Sequence, residues 1–221
     1  MSPRSSALVL CVATLLLSCG GRPQRVHEGL SARQILDGTA ATYQRAATYV
    51  DTGTVDRGGR LYLKSLHALQ SGTWDDRFRT RISRDGDCLF EYTARGGRTF
   101  TAAGNAGTGT ARTPYGPAEH FESWRAAVLA IGAVTSRAAA PATELFFGER
   151  RTESILSLRD LERLPDDEIH SIRCAVIRGR TPRQRFTIWI DAGFRMRRVQ
   201  HFLGAADEPV ADVRYTEVTI R

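Results

Sequence analysis

From Arg77 to Ile82 every odd position is arginine, and the even positions are Phe78, Thr80 and Ile82. Alternation with period two describes a strand with one face in water and one face covered. The chain must therefore supply a sheet and a layer to lie over it. The neighbouring sequence continues the theme. Asp85-Gly86-Asp87 is a hairpin turn signal. Cys88 to Arg95 returns as the partner strand, with Phe90, Tyr92 and Ala94 on one face and Glu91 and Thr93 on the other. Gly96-Gly97 turns again, and Arg98 to Ala103 makes a third strand. Gly104 to Gly116 reads as a loop around a further short strand.

Strands resume after Arg150. Ser157 to Leu164 is one, broken by Pro165-Asp166-Asp167. Ile172 to Gly179 follows, with Ile172, Cys174 and Val176 on one face. Gln184 to Asp191 places Phe186, Ile188 and Ile190 opposite Thr187 and Trp189. Met196 to Phe202 and Ala211 to Ile220 complete the set. Helical spacing occurs in two places. Ser31 is a good N-cap for a helix carrying Leu36, Tyr43, Ala47 and Val50, which Asp51 to Thr54 ends as it opens a strand running to Asp56. Leu61 and Leu63 then alternate as in a strand, with Leu66 and Leu69 before Gly72. Pro117 opens a second helical stretch through Phe121, Trp124, Val128, Leu129 and Ile131, ended by Gly132 and the Ala138-Ala139-Ala140-Pro141 run. Thr143 to Phe147 forms a last helical turn. The fold class expected is α+β. A strongly curved antiparallel sheet, an incomplete β-barrel of roughly nine to eleven strands, has helices covering its concave face.

The N-terminus carries an address. Arg4 precedes an apolar run from Ala7 to Leu17, which has the length of a secretory core and falls short of the ~20 residues a spanning helix needs. Leu16-Leu17-Ser18-Cys19 resembles the bacterial lipobox, with Leu17 where a small residue is usual. That resemblance implies cleavage before Cys19 and lipidation of its sulfur; the alternative is ordinary secretion. Residues 1–18 are then the signal peptide, 19–30 the lipidated N-terminus and a flexible tether, and 31–221 one domain.

The net charge of +7 rests almost wholly on arginine, Lys64 being the single lysine. An exported, tethered domain meets no nucleic acid, so the charge suits anionic headgroups or envelope polymers. Cys88 and Cys174 survive cleavage. An oxidising compartment permits a disulfide between them, while their strand positions suit two buried thiols. No catalytic or metal pattern emerges. His27, His67, His120, His170 and His201 lack ligand spacing, and His120 suits a solvated helix surface. There is no Gly-x-Ser-x-Gly elbow. Asp166-Asp167-Glu168 reads as a solvated turn, Gly104 to Gly109 lacks the lysine of a phosphate loop, and Asp191 suits a turn cap. The expectation is a monomer with no enzymatic activity, no cofactor and no metal.

The order of elements resembles the LolA/LolB-like superfamily of bacterial envelope lipoproteins. The resemblance spans roughly residues 32 to 221 and rests on short motifs. They are Tyr49-Val50-Asp51-Thr52-Gly53 after the first helix, Phe78-Arg79-Thr80 with Phe90-Glu91-Tyr92, and a closing set of three. That set is Cys174-Ala175-Val176-Ile177-Arg178-Gly179, Thr187-Ile188-Trp189-Ile190-Asp191 and Met196-Arg197-Arg198-Val199. Ile169-His170-Ser171 stands where the family has an Asp-Gly turn. The resemblance implies a half-barrel plugged by helices that binds a lipid or a lipoprotein acyl chain, for carriage, reception or insertion. Gly20, where an Asp could stand after Cys19, leaves an outer-membrane anchor facing the periplasm open in a Gram-negative host. The residues expected to face the space between sheet and helices are Phe78, Ile82, Phe90, Tyr92, Trp124, Val128, Phe186 and Ile188. They suit an acyl-chain cavity, or alternatively the packed core of a tethered structural or sensor-type binding protein.

Overall fold

The computed structural model describes residues 25–56 and 76–221. Cys19, Lys64, His67 and the four leucines from Leu61 to Leu69 lie outside the described residues. The described chain folds as α1 (Ala32–Arg45), β1 (Thr48–Asp56), β2 (Asp76–Ser83), β3 (Cys88–Thr93), β4 (Thr99–Gly104), β5 (Gly109–Arg112) and β6 (Glu119–Phe121). Then come α2 (Trp124–Ala130), α3 (Ala140–Phe147), a 3₁₀ turn (Ile155–Ser157), β7 (Arg159–Ile169), β8 (Ile172–Arg180), β9 (Gln184–Asp191), β10 (Met196–Leu203) and β11 (Ala211–Ile220). All eleven strands join one antiparallel sheet in the order β6-β5-β4-β3-β2-β1-β11-β10-β9-β8-β7. β6 and β7 are its two edges, so the sheet is not closed.

One apolar cluster runs from β1 to β5, across β8 to β11, and takes in all three helices. The helices therefore lie on one face of the sheet, which is the inner face. Alternation along β2 is the expected one: Phe78, Thr80 and Ile82 point inward while Arg77, Arg79 and Arg81 are exposed. The β8–β9 region is apolar on both faces. Ile169, Cys174, Val176 and Trp189 form a small outer cluster. The Arg198 guanidinium sits 4.5 Å over the Trp189 ring, and Trp189 Nε1 donates to Asp167 at 2.9 Å.

Four boundaries differ from the sequence expectation. The first helix stops at Arg45, so Ala47 and Val50 are not helical. Its start is as read, a capping box in which Ser31 and Gln34 satisfy each other's backbone N–H. From Thr48 the chain pairs with both β2 and β11, and two ladders outweigh one more helical turn. Pro117 opens no helix: Glu119–Phe121 pairs with β5 as an edge strand, and α2 starts from Ser123, whose hydroxyl accepts Ala126 N–H at 3.2 Å. The Ala138–Pro141 run begins α3 instead of ending a helix, because proline in a first turn loses no hydrogen bond. Pro165 does not break β7, which carries register shifts there. β7 is an edge strand, where a missing N–H is tolerated.

Of the two readings open for the cysteines, the structure holds the second. Cys88 and Cys174 are both buried free thiols. β3 and β8 are separated by five strands, and Cys88 belongs to the inner cluster while Cys174 belongs to the outer one. The tether expected through residue 30 is already fixed at Val26. Arg163 and Asp166 form a salt bridge at 3.1 Å on β7, and both hold backbone of this segment. Asp166 accepts Val26 N–H at 2.6 Å, and Arg163 donates to the carbonyls of Val26, of His27 at 2.8 Å and of Leu30 at 3.1 Å. His27 stacks on Phe194 at 4.0 Å.

Candidate functional site

The eight residues nominated for the interior do come together. Phe78, Ile82, Phe90, Tyr92, Trp124, Val128, Phe186 and Ile188 are all buried members of the inner cluster. They come from strands β2, β3 and β9 and from helix α2. Trp124 places α2: its indole N–H donates to Ala102 O at 2.9 Å on β4, and its backbone N–H to Asn105 O at 2.9 Å. Gly109 lets this helix start sit close, since a Cβ there would stand 2.1 Å from Ser123 O. Arg84 ties α1 to α3. It donates to Ala46 O and Phe146 O, both at 2.8 Å, and lies 4.5 Å over the Phe146 ring.

The interior is also where the buried polar groups sit. Asp51 is fully buried on β1, and Tyr49 Oη donates to its Oδ2 at 2.5 Å. Asp51 Oδ1, Thr80 Oγ1 and Tyr215 Oη have no hydrogen-bond partner. Burial pushes the Asp51 carboxyl up to about 7, against the hydrogen bond from Tyr49. Burial likewise raises the Tyr49 and Tyr215 phenols, with the charge of Asp51 adding to it.

Space is distributed differently from the apolar side chains. Between α3 and β9–β11 there is a cavity of about 20 Å³, the size of a water molecule. Phe186 and His201 line it. His201 stacks flat on Phe186 at 5.0 Å, its Nε2 is buried without a partner, and burial pushes its pKa down to about 4. A larger groove, of about 270 Å³, lies between α2, α3 and their connection. Its floor is apolar, with Val128, Leu129, Ala133, Ala139 and Ala140. Thr135 and Thr143 add little polarity. Their hydroxyls donate to Ile131 O at 3.0 Å and to Ala139 O at 2.7 Å within the helical stretch. The rim is charged: Arg125, Arg137, Arg151, Glu144 and Glu149. Leu129, on the groove, and Val134, on the connection, are among the few large apolar side chains left exposed.

Val128 is thus the one nominated residue that lines the groove, and Phe186 lines the small cavity. The other groove residues were missed. Alanines, glycine and threonines in the α2–α3 connection carry no pattern that marks a site, whereas the exposed Leu129 beside Gly132 was a usable signal. Arg137, Ala140 and Glu144 line both spaces, so the first turn of α3 is the partition between them. The chain reaches that turn through Ser136 and Arg137, two successive residues with positive φ of 51° and 55°. Among the described residues no group of three or more His, Cys, Asp or Glu is placed to hold a metal ion. No helix among them is long and apolar enough to cross a membrane.

Comparison with protein-family models finds no match, and neither does comparison with curated proteins. Several solved structures are similar in fold. One is the complex of MucA and MucB from Pseudomonas aeruginosa, at 11% identity and a TM-score of 0.46. The match covers 86% of this chain and 56% of that one, so this chain spans little more than half of it. Another is the Mycobacterium tuberculosis lipoprotein LppX, at 11% identity, a TM-score of 0.48 and coverage of 86% and 93%. A third is a putative outer membrane lipoprotein-sorting protein domain from Vibrio parahaemolyticus, at 10% identity, a TM-score of 0.37 and coverage of 86% and 94%. At these identities and TM-scores the likeness is one of overall arrangement.

Proposed function

We propose that this chain is an envelope lipoprotein, anchored through Cys19, that holds an apolar chain of a lipid or of a lipoprotein in the groove between α2 and α3. One observation carries the reading: an apolar-floored groove of about 270 Å³ stands beside exposed Leu129, while most other large apolar side chains among the described residues are buried. Small-molecule sites are typically apolar clefts of ~300–1,000 Å³ with a few polar groups at the edge, so this groove fits a segment of one chain. Binding of this kind needs no catalytic residue. Each CH₂ moved out of water contributes about 0.8 kcal/mol, and a modest length of chain supplies useful affinity.

The anchor shapes what such binding can do. Arg163 and Asp166 hold the chain from Val26 onward, which leaves only residues 20–25 between Cys19 and the fixed segment. Six residues reach about 20 Å at ~3.3–3.6 Å each. A lipidated protein on so short a lead works at its own membrane, receiving or inserting cargo, and does not ferry it. Two measurements test the reading. Cys19→Ala should move the protein from the membrane to the soluble fraction without lowering its melting temperature. Lipid mass spectrometry on that variant, purified without detergent, should find a co-purifying lipid. A protein that stays membrane-bound refutes the anchor, and a lipid-free protein across several hosts refutes the cargo. The latter outcome would leave a tethered scaffold with a packed core.

A further inference from the structure

The groove's rim is asymmetric in charge. Three guanidiniums and two carboxylates surround it. Glu149 is shared: Arg125 contacts it directly, and Arg151 pairs with it at 3.0 Å. Arg137 pairs with Glu144 at 3.7 Å, a loose approach without a hydrogen bond. The two signs also sit at different depths. The Glu149 and Glu144 side chains are 18% and 10% exposed, whereas those of Arg125, Arg137 and Arg151 are 42%, 38% and 50% exposed. Glu144 is turned inward, accepting Ile155 N–H at 3.1 Å, and burial raises its pKa. The face that meets a ligand at the groove's mouth is therefore cationic, with its counter-charge beneath the surface.

We infer that the groove selects a single-chain amphiphile with an anionic head, its alkyl chain on the Val128–Ala140 floor and its carboxylate or phosphate between Arg137 and Arg151. The volume limits the occupant to part of one chain. Each of the two arginines has donors to spare, because one carboxylate contact uses at most two of the five guanidinium N–H groups. An oxyanion between them completes both without removing either from its present partner. This inference rests on the groove being the binding site, as proposed above.

The test compares heads on one chain. Full chain carrying Cys19→Ala is titrated with laurate, dodecyl phosphate, dodecanol and dodecyltrimethylammonium by isothermal calorimetry, all below their micelle concentrations. Laurate or dodecyl phosphate should bind about tenfold tighter than dodecanol, with the tighter of the two identifying the head. The cation should bind weakest. The advantage should shrink as salt rises, since the arginines are half in solvent. Arg137→Gln and Arg151→Gln should each erase most of the difference, lowering laurate or dodecyl phosphate binding by a larger factor than dodecanol binding, which a merely structural role would not do. Equal binding of laurate and dodecanol overturns the inference while the apolar-groove reading stands. No binding of any dodecyl compound overturns both.

Discussion

The inner face of the sheet and the α2–α3 groove are built from similar residue types and behave as opposites. Under the helices the apolar side chains pack together: Phe78, Phe90, Tyr92 and Tyr215 sit in the cluster, with Tyr215 edge-on to Phe78 at 5.7 Å. The space between α3 and β9–β11 is about 20 Å³. Between α2 and α3 the residues are small, Ala133, Ala139, Ala140 and Gly132, and about 270 Å³ stays open. Large side chains that alternate on a sheet fill whatever they enclose, and small ones on short helices cannot. Apolar character alone does not mark a cavity. The marker is apolar character combined with small size and incomplete burial.

Substitutions should separate the two regions, beginning with the interior. Trp124→Ala removes a buried ring and its hydrogen bond to Ala102. It should cost about 3–5 kcal/mol in denaturant unfolding, and Phe90→Ala should fall in the same range. A loss under ~1 kcal/mol in either case would mean that the interior is not packed as described.

Next in size is a pH effect. The Asp51 carboxyl is held at about 7 in the folded protein against 3.8 for the free group. Between those values the folded state binds the proton and the unfolded state releases it, so stability falls as pH rises from about 4 to about 7 and is flat above. The loss should be on the order of 4 kcal/mol. Asp51→Asn keeps an acceptor for Tyr49 and should abolish the slope, read as melting temperature across that pH range. A wild-type curve that rises through this window would contradict the buried neutral acid.

Smallest are the groove changes. Leu129 is 47% exposed, and Leu129→Ala should stay within about 0.5 kcal/mol of wild type. Ala133→Phe should be equally mild for stability, because Ala133 is exposed and lines the groove. It should nevertheless weaken dodecyl-chain binding by about tenfold or more by filling the groove. If Ala133→Phe leaves binding intact and Phe90→Ala removes it without unfolding the protein, the two regions have exchanged roles.

Much of the architecture was legible because strand alternation is a local signal. Arg77 to Ile82, Gln184 to Asp191 and the Gly96-Gly97 turn each declare themselves within a few residues. What was not legible depends on partners far along the chain. Val50 fits a helix by spacing and joins β1 because Arg81 and Thr219 flank it in two ladders. Pro165 reads as a break and sits within an edge strand whose irregularity helps present Asp166 to Val26, 140 positions away. The apolar set of the interior was identified residue by residue, yet its packing density could not be. Filling depends on how the three helices settle on the sheet, which Arg84 decides for α1 and α3 and the Trp124 contacts for α2.

The central claim is the location of the apolar ligand. Hydrogen exchange on the Cys19→Ala chain, with and without saturating laurate, reads it directly. The account predicts slowed exchange in amides of residues 125–144 and little change in β2, β3 and β9. Protection confined to β2, β3 and β9, with the α2–α3 stretch unchanged, would place the ligand between sheet and helices and contradict the account.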